Sequence, residues 1–119
     1  MTQTSAHDIV LAYHRAWTCG DVDEAMTHVA DDIVCRAPGA DLTGKETYRG
    51  FIGAFAPNLT GLTDIASFAD GDHVALFYYP ETAATTTAPA AEYFTVRDNK
   101  IAESVLIFDR LSYMPTNQE

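Results

Sequence analysis

AEYFTVRDNKIAESVLIFDRLSY, residues 91–113, is the stretch from which the fold is read. Two runs with strand chemistry, 92–97 and 100–109, flank Asp98-Asn99. Asp and Asn tolerate the left-handed backbone that a tight hairpin turn demands, so the stretch predicts a long β-hairpin. Within its first run Glu92 is in phase with Phe94 and Val96. A carboxylate in register with apolar neighbours is either an edge-strand charge or a group held inside a pocket. In the second run Val105 and Ile107 share a phase with Asp109, opposite Leu106 and Phe108. That pattern gives the strand two apolar faces, one for a pocket and one for a partner subunit.

The upstream chain supplies elements to pack on this hairpin. Ser5 followed by Asp8 resembles a capping box for a helix over 5–19, and Gly20 terminates it. Ala6, Ile9, Val10, Tyr13, Ala16 and Trp17 fall on one helical stripe, with His14 on its flank and Leu11 and Arg15 pointing away. Asp21 with Glu24 opens a second, shorter helix reaching about Val29. Asp31-Asp32 breaks the helical pattern, and residues 33–36 read as a short strand ended by Pro38-Gly39. Thr43 with Glu46 marks a third helix over about 44–56, whose apolar stripe is Tyr48, Phe51, Ile52 and Phe55. Strands follow at 62–69 and 73–79, joined by Asp70-Gly71, and Pro80 ends the second. Residues 81–90 read as an irregular connection, and 115–119 as a tail.

This order predicts one α+β domain over residues 1–119, with three N-terminal helices packed on a curved, mainly antiparallel sheet. Helices set into the concave side of such a sheet leave a cone that holds a cavity.

Composition removes several classes of function. With 119 residues, 47% hydrophobic and 20% charged, the chain is globular rather than disordered. Seventeen acidic residues against 7 basic ones give a net charge of −10, which repels phosphate backbones and argues against a nucleic-acid partner. No apolar run reaches membrane-spanning length, and the N-terminus lacks the order of a signal peptide. The expectation is a cytoplasmic protein with Cys19 and Cys35 reduced. His7, His14, His28 and His73 show no ligand spacing, so no metal is expected.

The motifs AYHRAWTCGDVDEAM at 12–26 and VRDNKIAESVLIFDRL at 96–111, with the Pro38-Gly39 strand end and the Gly44-opened helix between them, resemble the SnoaL-like branch of the nuclear transport factor two-like superfamily. The resemblance implies a conical α+β barrel, commonly a homodimer built through sheet faces. It implies less about activity, because the superfamily includes ketosteroid isomerases, polyketide cyclases, epoxide hydrolases, dehydratases and members with no chemistry. By the same resemblance Tyr13 stands where the isomerase Tyr donor would be, and Glu92 near its partner acid. The isomerase base would fall on Ala37, which cannot take a proton. The Arg-x-Asp segment of the epoxide hydrolases corresponds to Ala90-Ala91-Glu92, and their second acid to Leu106.

What these residues still permit is acid–base isomerisation or cyclisation of a small apolar carbonyl compound, without cofactor. Glu92 is the candidate acid–base group, with Tyr13 or His14 stabilising an enolate. His14, Trp17, Arg36, Tyr48, Ile52, Phe55, Phe94, Leu106 and Phe108 are the candidate substrate-binding residues. The alternative is a non-catalytic ligand-binding or dimerisation module, motivated by Ala37 and Leu106 where acids are wanted. Plainer readings stand beside each assignment: Tyr13 and Trp17 as core, Arg36 paired with an acid, His73 exposed, and Glu92 facing solvent after a one-residue register error.

Overall fold

The computed structural model of the chain describes residues 5–113, so the expected tail at 115–119 lies outside the described residues. Its elements run α1 (Ala6–Thr18), α2 (Val22–Met26), β1 (Val29–Ala37), β2 (Ala40–Thr43) and α3 (Lys45–Phe55). A single 3-10 turn at Ala56–Asn58 leads to β3 (Leu59–Asp70), β4 (His73–Thr82), β5 (Ala90–Arg97), β6 (Lys100–Ile107) and α4 (Arg110–Tyr113). The six strands form one mixed sheet in the order β2-β1-β6-β5-β4-β3. All neighbours are antiparallel except β1 and β6, which run parallel.

The β5–β6 hairpin forms around its turn as read, with Asp98 at φ 51° and Asn99 at φ 63°. Two successive left-handed residues make the turn whose twist matches that of its strands. β5 pairs with β4 on one side and β6 on the other, so its alternation is fixed twice. Ala90, Glu92, Phe94 and Val96 consequently face the helices and are buried, while Tyr93 and Arg97 face outward.

α1 lies on the inner face of the sheet, its N-cap Ser5 accepting from the backbone N–H of Asp8. Its buried arc is wider than one stripe and includes His14, which is 3% exposed rather than on an open flank. The cause is tertiary: α1 packs on β3 and β4 as well as α2, and the His14 ring sits 4.6 Å from that of Tyr78. α3 covers the same face through Tyr48 and Ile52.

Several boundaries differ from the sequence expectation. α2 ends at Met26, and Val29 is the buried first residue of a nine-residue β1. Asp31 and Asp32 sit in that strand as exposed residues beside a register shift rather than ending an element. Pro38-Gly39 is the turn into the short β2, with Gly39 at φ 79°, and this hairpin separates α2 from α3. Helices and strands are therefore less segregated than expected, and a fourth helix follows the sheet. Thr43 closes β2 rather than capping a helix; the N-cap of α3 is Gly44, with no side-chain cap. Pro80 lies inside β4, beyond the last pair with β5 at Tyr78–Ala90. There β4 has a neighbour on one side only, where a residue without an N–H is tolerated.

The outer face of the sheet is apolar at its centre. Phe68, Phe77, Tyr93 and Ile107 are exposed there, and the register brings Phe77, Ala91 and Ile107 into one row. Among the described residues no helix is long and apolar enough to cross a membrane.

Asn99→Val tests the turn. A β-branched side chain at φ 63° should lower stability by about 1–2 kcal/mol in urea unfolding, whereas Asn99→Gly should leave it unchanged or slightly raised.

Candidate functional site

Between α1, α3 and the inner face of the sheet lies an apolar cavity of about 40 Å³. Its floor is buried and consists of Trp17 on α1, Ile52 on α3, Tyr78 and Pro80 on β4, and Ala90 and Glu92 on β5. Its mouth is partly exposed and consists of Phe51 and Phe55 on α3, Leu106 on β6, and Phe108 and Tyr113 beyond it. Larger surface depressions exist, such as one lined by Asp31, Asp32, Lys45 and Arg97, but they are open and their charges face water. Among the described residues no cluster of three or more His, Cys, Asp or Glu groups is placed to hold a metal.

Glu92 is the one ionisable carboxyl in the cavity wall and is 2% exposed. Its strand neighbours are Leu76 on β4 and Leu106 on β6. Its side chain has one hydrogen bond among the described residues, accepted by Oε1 from the hydroxyl of Tyr78 at 3.1 Å. Burial raises its pKa from 4.5 to about 7, against the opposing pull of the Tyr78 bond. Near neutral pH the group is therefore divided between carboxylic acid and carboxylate, the condition a proton-transfer group needs.

Three phenols surround this acid. Tyr13, Tyr48 and Tyr78 are all held well above the ordinary tyrosine range, chiefly by burial, and all feel the charge of Glu92. They remain neutral donors. Tyr13 and Tyr48 bond each other at 2.5 Å, and Phe94 packs edge-on against Tyr13. Behind them the thiol of Cys35 lies 3.8 Å from the Ser104 hydroxyl, and burial pushes the thiol up to about 11. Cys35 is thus a neutral core thiol, not a nucleophile.

Not all the residues expected around a substrate meet here. Glu92, Trp17, Ile52, Phe55, Leu106 and Phe108 line the cavity. Tyr13, Tyr48 and Phe94 sit behind its wall in the core, one helical turn from Trp17, one from Ile52 and one strand repeat from Glu92, so they share the inward face but lie deeper along it. His14 faces β3 instead: Nε2 is 3.3 Å from the exposed carboxylate of Asp64, and burial lowers its pKa despite that partner. Arg36 is far from this chemistry; strand alternation buries Cys35 and turns Arg36 outward, to an ion pair with Asp41 at 3.1 Å. His73 is exposed, as read. Sequence reasoning missed Tyr78, Phe51, Pro80, Ala90 and Tyr113. Tyr78 was discoverable, since Val74, Leu76 and Tyr78 alternate inward on β4 and Leu76 is directly opposite Glu92. Trp17 Nε1 and His14 Nδ1 are buried with no hydrogen-bond partner among the described residues.

The sequence matches the SnoaL-like domain family over residues 10–104. A solved protein from Kribbella flavida is 43% identical over 93% of this chain and 92% of its own, with a TM-score of 0.89. A Sinorhizobium meliloti protein provisionally assigned as a polyketide cyclase is 24% identical, covering 84% of this chain and 94% of its own, with a TM-score of 0.75. A second Kribbella flavida protein, provisionally a ketosteroid isomerase, is 17% identical over 95% of this chain and 83% of its own, with a TM-score of 0.76. The latter two share the fold alone. No curated protein matches the sequence.

The raised pKa of Glu92 has a sign in stability. Between pH 4.5 and about 7 the folded chain holds a proton that the unfolded chain has released, so this group's contribution falls as pH rises through that window. The loss at pH 8 is of order 3 kcal/mol. Glu92→Gln removes the titration. It should melt higher than the wild type at pH 8, by roughly 5 °C or more, and close to it at pH 4.5.

Proposed function

Because the chain belongs to the SnoaL-like domain family, in which one fold serves many chemistries, we propose that it binds a small apolar carbonyl compound against Glu92 and moves a proton on it without a cofactor. The observation that carries this reading is a fully buried carboxyl, titrating near neutrality, in the wall of an otherwise apolar cavity. As carboxylate, Glu92 takes a proton from the carbon next to the carbonyl; as acid, it returns that proton to another atom of the same ligand. The proton count closes without water. For a cyclisation the same acid gives its proton to the oxygen that becomes a hydroxyl, while the substrate supplies both reacting carbons. Tyr78 orients the carboxyl and favours its ionised form. Trp17, a wall residue, carries a buried N–H with no hydrogen-bond partner among the described residues, a donor of the kind an oxyanion needs. Chemistry of this class matches the provisional assignments of the Sinorhizobium and second Kribbella proteins.

The reading extends to architecture and setting. α1 and α3 on the inner face give the cone its filling, and the apolar outer face of Phe68, Phe77, Tyr93 and Ile107 serves a second copy of the chain as a homodimer. Both cysteines are free, in keeping with a cytoplasmic location.

One observation favours a second reading, a non-catalytic module. A cavity of about 40 Å³ is small beside the usual ligand pocket of roughly 300–1,000 Å³. Positions 37 and 106 also carry Ala and Leu where related chemistries place acids.

Carbonyl compounds that raise the melting temperature supply the substrates for a decisive assay. Glu92→Gln should lower turnover at least about 100-fold. Tyr78→Phe removes the bond that favours the carboxylate, so the rising limb of rate against pH should move to higher pH. Turnover that survives Glu92→Gln unchanged sinks the catalytic reading and leaves the module. Separately, Phe77→Arg should convert a dimer to a monomer in light scattering.

A further inference from the structure

The mouth of the Glu92 cavity is built from partly exposed aromatic rings, and Tyr113 ties that mouth to another segment. Its ring meets Phe55 edge-on at 6.0 Å and Phe108 edge-on at 5.5 Å. Its hydroxyl donates to the backbone carbonyl of Ala88, in the connection between β4 and β5. We propose that Tyr113 is the specificity-determining gate of the cavity: its tie to Ala88 holds α4 across the mouth, limits the size of what enters, and releases to admit a larger ligand. The proposal rests on reading the cavity as a ligand site, and it names the residue that selects the ligand.

The two tied segments are independent of the core in a way the rest of the cavity is not. α4 has four residues, none of them buried, and Leu111 is 78% exposed. Its start is fixed by Asp109, whose carboxylate accepts from the Leu111 N–H at 3.1 Å and from the Ser112 hydroxyl at 2.7 Å. The guanidinium of Arg110 lies against Gly39, in the turn into β2. Among the described residues these contacts hold the near end of α4, and Tyr113 holds its far end. On the other side, residues 83–89 include none that is buried. That connection is held by its own threonines: Thr82 N–H donates to the Thr85 carbonyl at 2.9 Å, and Thr82 Oγ1 accepts from Ala84 at 3.1 Å. These bonds order the connection locally, apart from the Tyr113 bond at Ala88.

A neutral hydrogen bond between partly exposed groups exchanges with water at little net cost, so once it is released Tyr113 is held at the mouth by its ring contacts with Phe55 and Phe108. Segments with few buried apolar contacts are the ones that open first. The closed cavity has room for only a few water-sized bodies, since one water needs roughly 10–15 Å³ of such space. Anything longer must move part of the mouth, and Tyr113 is the mouth residue on α4, the four-residue helix with no buried residue.

Trp17 makes the gate measurable without a known ligand. It is the chain's one tryptophan, it is 2% exposed, and it forms part of the cavity wall. Collisional quenching of its fluorescence by two neutral agents, acrylamide and the bulkier succinimide, reports passage through the mouth. In the wild type succinimide should quench far less than acrylamide. Tyr113→Phe keeps the ring and removes the tie, and should raise the succinimide constant about threefold to tenfold, the population change expected from one neutral hydrogen bond. Its melting temperature should stay near that of the wild type. Tyr93→Phe, which removes a hydroxyl on the outer face of the sheet, should leave both constants unchanged. Unaltered succinimide quenching in Tyr113→Phe overturns the gate, and so does an equal rise in Tyr93→Phe. No turnover enters the measurement, so failure of the carbonyl chemistry would leave the gate standing.

Discussion

β5 is hydrogen-bonded along both edges, and that double pairing decides what the interior contains. A strand with a free edge can slip or twist to release an unwelcome side chain; a strand held on both sides cannot move one residue without turning all of them over. Phe94 and Val96 must face the helices, so Glu92 must face them too. The acid is inside because its apolar neighbours are inside. Its desolvation and its proton affinity follow from that constraint.

The partnering of the acid is as informative as its burial. Carboxylates that accept several hydrogen bonds are stabilised as anions and titrate far below neutrality. Here Tyr13 and Tyr48, on α1 and α3, share one hydrogen bond with each other, and among the described residues Tyr78 is the one donor to Glu92. Burial raises the group to about 7, and the Tyr78 bond offsets that only in part. A structure optimised only for stability would have an apolar residue at this position, or more donors around the acid. Retaining an under-satisfied carboxyl at the centre of the sheet is the pattern seen where stability is traded for activity.

Much of this was legible in the sequence, for reasons that can be stated residue by residue. The turn at Asp98-Asn99 and the phase of Glu92 were visible because β-periodicity and turn chemistry are local. The stripe of α1 was visible for the same reason. His14 was misplaced because its burial is caused by β3 and β4, which lie some fifty or more residues away in the chain. β2 was missed since its four residues are exposed or half-buried and carry no alternation to detect. Arg36 was assigned to a ligand because strand phase was uncertain over a run read as four residues; nine residues of β1 fix it outward. Tyr113 carried no signal at all: a residue past the last strand acquires a role only from where the chain folds back.

The parallel contact between β1 and β6 sets the order of assembly. Residues 34–36 pair with 103–105, so β6 slots between a β1–β2 hairpin and a β5-β4-β3 meander that otherwise share no ladder. During synthesis the first hairpin waits, with one edge bare, until nearly the whole sheet has left the ribosome. Long-range parallel pairing of this kind closes late and slowly. Until then the nascent chain presents the bare edges of β1 and β5 besides those of β2 and β3, and an unsealed core, the state most exposed to pairing with other chains. The strand that completes the cavity wall with Leu106 is thus also the one that covers the inner edges of β1 and β5.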